Sequence, residues 1–240
     1  MMKQLLVALA MGSLLTGCAS GGVSNDRERF LRVAGKPVAN PSDIVRAELA
    51  FSRLAREKGQ WTAFRETAAP DALMFTPELL SAQVWLRNKA DPAQATDWQA
   101  HKIFMSCDGS MGVATGAWQG SGGTTGYFTT IWAKQDAQNR RQLGKTVEWK
   151  WIFDHGVPLD QPLPEPDFVT TRVAKCSSGT LPAAAAAPGG EKNKSGYSAD
   201  GTMFWSAESS TDQSRSLLVR MWNGTEWEDI VFDDVAAPAG

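Results

Sequence analysis

The chain has 240 residues, of which 42% are hydrophobic and 21% charged, with 24 basic and 26 acidic side chains and a formal charge of -2. That composition excludes a collagenous, low-complexity or predominantly disordered protein, and with no long run of either sign nothing favours a nucleic-acid partner. Ten Trp and ten Phe against two Tyr and two His supply much apolar aromatic area and little that titrates near neutral pH.

Residues 1–17 read as a secretory leader: Lys3, an apolar stretch through Leu15, then the small Thr16 and Gly17 before Cys18. The stretch is shorter than the roughly 20 residues a spanning helix needs. Leu15-Thr16-Gly17-Cys18 resembles the lipobox of bacterial lipoproteins, which implies cleavage before Cys18 and lipidation of its thiol. Two or three acyl chains, at about 0.8 kcal/mol per buried CH₂, hold a domain stably at a membrane. Ala19 in place of Asp implies, by the same resemblance, the outer membrane facing the periplasm. Residues 18–41 lack sustained periodicity and read as the lipidated Cys and a tether.

Ile44, Ala47, Phe51 and Leu54 recur at helical spacing from Ser42, the expected N-cap, to Lys58 before Gly59. Trp61, Ala63, Phe64 and Ala68 predict a second helix ending before Pro70, and residues 81–88 a third. Period-two segments follow at 98–107 and 110–119 around a two-residue Asp108-Gly109 turn, then at 125–135 and 146–154. Helices followed by an antiparallel meander predict an α+β domain over 42–157 with its helices on one face of a curved sheet. Four prolines between Pro158 and Pro166 mark a boundary. Beyond it, 158–240 reads as a β-rich extension: a strand at 168–175, a solvated loop near 179–196, and a hairpin pairing 216–222 with 225–232 about Asn223-Gly224. Cys107 and Cys176 remain after cleavage, and an oxidising compartment permits a disulfide between them without demanding it.

Glu48 to Phe51, Gly59 to Phe64, Met74-Phe75, Gly126-Tyr127-Phe128, Trp132 and Trp149 to Gly156 together resemble the nuclear transport factor 2-like superfamily, in its SnoaL-like branch. The resemblance covers roughly 42–157 and implies a cone in which a curved antiparallel sheet and three helices close around a pocket. Some relatives isomerise ketosteroids, cyclise polyketides or dehydrate small substrates, and many only bind a ligand or partner. Pairing of the open sheet faces into a homodimer is a further expectation of that fold.

Asp154 and His155 are the candidate acid/base pair, because a carboxylate and an imidazole beside an apolar pocket can move a proton next to a carbonyl. Strand alternation sends adjacent side chains to opposite faces. With Trp149, Trp151 and Phe153 taken as the buried side, His155 is expected inside and Asp154 outside; the plain alternative is that His155 is a core residue. Trp61, Phe64, Met74, Trp85, Tyr127 and Trp151 are the candidate ligand pocket, with Tyr127 as its polar handle, against ordinary core packing as the other reading.

His101 stands far from other ligand types, so no metal and no cofactor is expected. Residues 139–146 end like a phosphate-binding loop but lack its first Gly and join two strands. No Gly-x-Ser-x-Gly elbow is present. Three functions follow as expectations: a lipid-anchored envelope protein binding a small apolar molecule; an acid/base enzyme using Asp154 or His155; or an interaction module docking through Trp205, Trp222 and Trp227.

Overall fold

The computed structural model describes residues 39–137, 146–184 and 192–237. The expected leader, Cys18 and most of the tether lie outside the described residues, as do the loop at 138–145 and the Ala-rich stretch from 185 to 191. The described residues belong to one compact unit, Pro37–Gly240.

Two helices come first, α1 (Ser42–Lys58) and α2 (Gln60–Thr67), and a third, α3 (Ala82–Leu86), follows two strands later. Ser42 is the first residue of α1 and not its cap: Pro41 holds that position, and Asn40 Oδ1 accepts the Ser42 N–H at 3.2 Å. The helix buries Ile44, Glu48, Phe51, Ser52 and Ala55. At Gly59 φ is 107°, and a Cβ there would sit 2.3 Å from the Asp91 carboxyl carbon. Only glycine lets the chain turn from α1 into α2 at this distance.

The strands form two sheets. The large, curved sheet comprises β1 (Ala68–Phe75), β2 (Leu79–Ser81), β3 (Asp97–Met105), β4 (Met111–Gln119), β5 (Thr125–Ala137), β6 (Thr146–Leu159) and β7 (Thr170–Val173), in the order β2-β1-β6-β5-β4-β3-β7. It is antiparallel except where β1 runs beside β6 and β7 beside β3. The small sheet holds β8 (Lys192–Tyr197), β9 (Met203–Ser209), β10 (Arg215–Trp222) and β11 (Trp227–Val235) in reverse order. The chain is therefore α+β, with the helices on one face of the large sheet and the small sheet on the other.

Two cores follow from this layering. On the helix side, Ile44, Phe51, Ala63, Met74, Leu86, Trp132 and Trp151 pack together. Between the sheets, Phe104, Val113, Ile131 and Phe153 meet Met203, Trp205, Leu217, Val219 and Met221. The segment after Pro158 thus neither lengthens the large sheet by more than β7 nor leaves its back face open for self-pairing. Trp205 and Trp222 are buried, and Trp227 donates its indole N–H to the Pro182 carbonyl at 2.9 Å, so the three tail tryptophans do not make an exposed apolar patch.

Both expected two-residue turns are wider. The β3–β4 loop spans 106–110, where Asp108 Oδ1 accepts the Ser106 hydroxyl and the Ser110 N–H. The β10–β11 loop spans 223–226, where Asn223 Oδ1 accepts the N–H groups of Thr225 and Glu226. In each, the Asx side chain substitutes for a backbone acceptor and stabilises a longer loop. Cys107 and Cys176 are disulfide-bonded with Cα atoms 5.2 Å apart, which ties the end of the β3–β4 hairpin to the chain leaving β7.

Candidate functional site

The two faces of β6 are set by one irregularity. Trp151 pairs with Trp132 and Phe153 with Ile131, so Ile152 is an extra residue in β6 with no partner in β5. A bulge of this kind inverts the alternation downstream. Trp149 and Trp151 face the helices, whereas Phe153 and His155 turn towards the small sheet and Asp154 turns inward. The expected assignment of the pair is therefore reversed: regular alternation counted from Trp149 does not survive the inserted Ile152.

Asp154 opens into a cavity of about 250 Å³ between the helices and the large sheet. Its wall takes Phe51 from α1, Gln60, Trp61 and Phe64 from α2, and Met74 from β1. Phe75 adds to it from β1, Thr96 from the residue before β3, and Trp98, Trp118, and Phe128 with Thr130 from β3, β4 and β5. The aromatic rings form a connected set: Phe51 lies 4.7 Å from Phe64 and 4.8 Å from Trp98, and Trp61 lies 5.4 Å from Phe64. Tilted and edge-on contacts of this kind contribute about 0.5–1.5 kcal/mol each beyond their buried area. They hold the wall in one arrangement without filling the space. Trp118 is seated on Gly126, where a Cβ would come within 2.3 Å of the indole.

Three polar groups define the chemistry. Thr130 donates its hydroxyl to Asp154 Oδ2 at 2.8 Å. No cation among the described residues pairs with that carboxyl, and burial pushes its pKa from 3.8 up to about 7. Glu48, 4% exposed, takes the Trp132 indole N–H on Oε1 at 2.7 Å and the Trp98 indole N–H on Oε2 at 3.1 Å. Burial pushes it up to about 7 against the pull of the two indoles, and the Asp154 charge adds to the rise. Glu48 thus anchors Trp98, a wall of the cavity, to the helix that covers it.

His155 is 2% exposed, and neither ring nitrogen has a hydrogen-bond partner among the described residues. Its Nε2 lies 3.7 Å from Asp233 Oδ2, and its ring stands edge-on to Phe75 at 5.2 Å. Burial, aided by the Arg215 charge, drives its pKa down to about 3. It is a neutral imidazole packed towards the small sheet, although it contributes to the cavity rim with Gly156.

Of the six residues expected to line a pocket, Trp61, Phe64 and Met74 do so. Trp151 lies behind Phe64, fully buried, with its N–H on Thr67 Oγ1. Trp85 packs 5.2 Å from the Trp61 ring, away from the lining, with Lys89 Nζ 4.0 Å above its own ring. Tyr127 falls on the opposite face of β5 to Phe128, beside His155 at 6.2 Å and hydrogen-bonded to Asp233. It is no handle for the cavity. Residues not singled out from sequence include Glu48, Trp98 and Thr130. For Glu48 a signal existed, since a carboxylate four residues after Ile44 and three before Phe51 stands on the apolar stripe of α1.

Among the described residues no three His, Cys, Asp or Glu side chains converge as a metal-binding group, and no helix is long and apolar enough to cross a membrane. No family model, curated protein or solved structure matches this chain.

Proposed function

We propose that the chain is a lipid-anchored protein of the bacterial cell envelope, held by Cys18 at the outer membrane, whose cone-shaped domain binds a small, largely apolar molecule. The observation that carries this reading is the cavity of about 250 Å³ with seven Phe and Trp side chains and Met74 in its wall and a single carboxyl group at Asp154. Ligand sites are concave, mostly apolar and supplied with a few placed polar groups. The volume corresponds to about eight water molecules, so the ligand is small. Three short-to-medium helices on one face of a curved sheet, with the cavity between them, support the likeness to the nuclear transport factor 2-like cone.

A native mass spectrum of the chain purified from bacterial membranes tests it. A retained small molecule, lost on replacing Phe64 by a charged residue, is the expected result. A bare chain that takes up no small aromatic compound from a mixed library overturns it.

One observation favours an acid/base enzyme as the second reading. Asp154, raised to about 7, has the pKa suited to a base working near neutrality, whereas His155, facing away and held neutral, does not serve. Asp154→Asn would then abolish turnover and leave ligand retention intact.

A further inference from the structure

The charge inventory of the cavity is one-sided. No Lys or Arg lines it, and among the described residues no ion pair involves Asp154. Its single donor is the Thr130 hydroxyl, which leaves Oδ1 without a protein donor among the described residues. A second carboxyl of the same sign, Glu48, stands directly behind the Trp98 wall and feels the Asp154 charge through space.

Both indole donors in the wall are already engaged. The Trp98 N–H is on Glu48 and the Trp118 N–H is on the Tyr127 carbonyl, so both indoles offer a ligand only ring carbon. Gln60 accepts the Thr96 N–H on Oε1 at 3.0 Å, which fixes its amide at the cavity wall and leaves Nε2 as its donor. An anion entering here would meet carboxyls of its own sign and an aromatic wall, with neutral Gln60 and Thr96 and no Lys or Arg to offset the loss of its hydration. A neutral hydrocarbon would leave the Asp154 carboxyl unsatisfied in an apolar surround.

An ammonium group meets neither difficulty. Aromatic rings attract a cation within about 6 Å of their centroids, and the half-buried Asp154 carboxyl, with no cation of its own among the described residues, offers it an opposite charge. The geometry points to a small organic ammonium as the ligand class, with its cationic head between the Asp154 carboxyl and the rings of Trp98 and Phe128. This rests on the ligand-binding reading above and adds the charge of the ligand to it.

The test uses the full chain and two probes of equal shape, choline and its uncharged isostere in which carbon replaces the nitrogen, titrated calorimetrically at pH 8. Choline is expected to bind at least about tenfold more tightly than the isostere, which is about 1.4 kcal/mol, and Asp154→Asn is expected to abolish that preference. Equal or tighter binding of the isostere overturns the cation and leaves the cavity reading standing. No saturable binding of either probe at millimolar concentration overturns both. The comparison between probes is made on the unmodified protein, so it holds even where the variant fails to fold.

Discussion

Replacing Asp154 by Asn is the sharpest perturbation the cavity allows. The two side chains have the same shape, and Asn Oδ1 accepts the Thr130 hydroxyl as the carboxyl oxygen does at 2.8 Å. What changes is the proton. Burial raises the folded-state pKa of Asp154 from 3.8 to about 7, so between those values the folded chain binds a proton that the unfolded chain has released. Stability of the natural protein therefore falls as pH rises from about 4 to about 7, and the loss is complete above that. At 1.36 kcal/mol per pKa unit, the ceiling is about 4 kcal/mol. Asn carries no such loss, so Asp154→Asn is expected to match the natural protein near pH 4 and to exceed it by a few kcal/mol at pH 8. Glu48 adds to the gain, because removing the Asp154 charge eases its own ionisation. His155 works in the opposite sense, with a folded-state pKa lowered to about 3 that costs stability as pH falls below its ordinary 6.5. It is present in both proteins and cancels in the difference. Urea denaturation at pH 4.5, 6 and 8, with unchanged slopes, reads the effect directly. A difference between the two proteins that does not vary with pH would refute the burial of an ionisable carboxyl in the cavity.

Glu48→Ala leaves the Trp98 and Trp132 indole N–H groups without acceptors; at about 1–3 kcal/mol for each unsatisfied donor, denaturation at pH 5 should show a loss of about 2–6 kcal/mol. The Cys107–Cys176 bond closes a separation of 69 residues, and replacing both by Ser should cost about 4 kcal/mol of chain-entropy stabilisation, read in urea without reductant. Gly126→Val would drive a Cβ against Trp118 and to 2.1 Å from the Val157 carbonyl oxygen, so it should abolish probe binding and lower the thermal midpoint. Expressed in bacteria, the chain should lose residues 1–17 and gain the mass of a diacylglyceryl group on Cys18, and Cys18→Ala should show neither change by mass spectrometry.

The helices and long strands were legible because their signals are local. Ile44, Phe51 and Leu54 carry the helical period within one segment, and strands 125–137 and 146–159 continue the alternation that predicts them. The aim of Asp154 was not legible. It depends on whether Ile152 is counted in the ladder, and a bulge is a property of the pairing with Ile131 and Trp132, some 20 residues earlier in the chain. Tyr127 was misassigned to the pocket for a related reason: which face of β5 meets the helices is fixed by the whole sheet, and its neighbour Phe128 has the same apolar character. The small sheet illustrates a third limit. Its hairpin is marked in the sequence, but β8 (Lys192–Tyr197) falls in the stretch expected as a solvated loop, because Lys192, Asn193, Lys194 and Ser195 carry no apolar alternation. That the sheet covers the back of the large one emerges only from Phe153 meeting Trp205 at 5.7 Å.

A crystal of the protein held under xenon pressure addresses the central claim most directly, since xenon enters accessible apolar cavities and leaves packed cores empty. A xenon site is expected between Phe64, Met74 and Phe128, a few ångströms from the Asp154 carboxyl. Absence of xenon there, with Trp61 and Phe64 folded into the space, would contradict that claim.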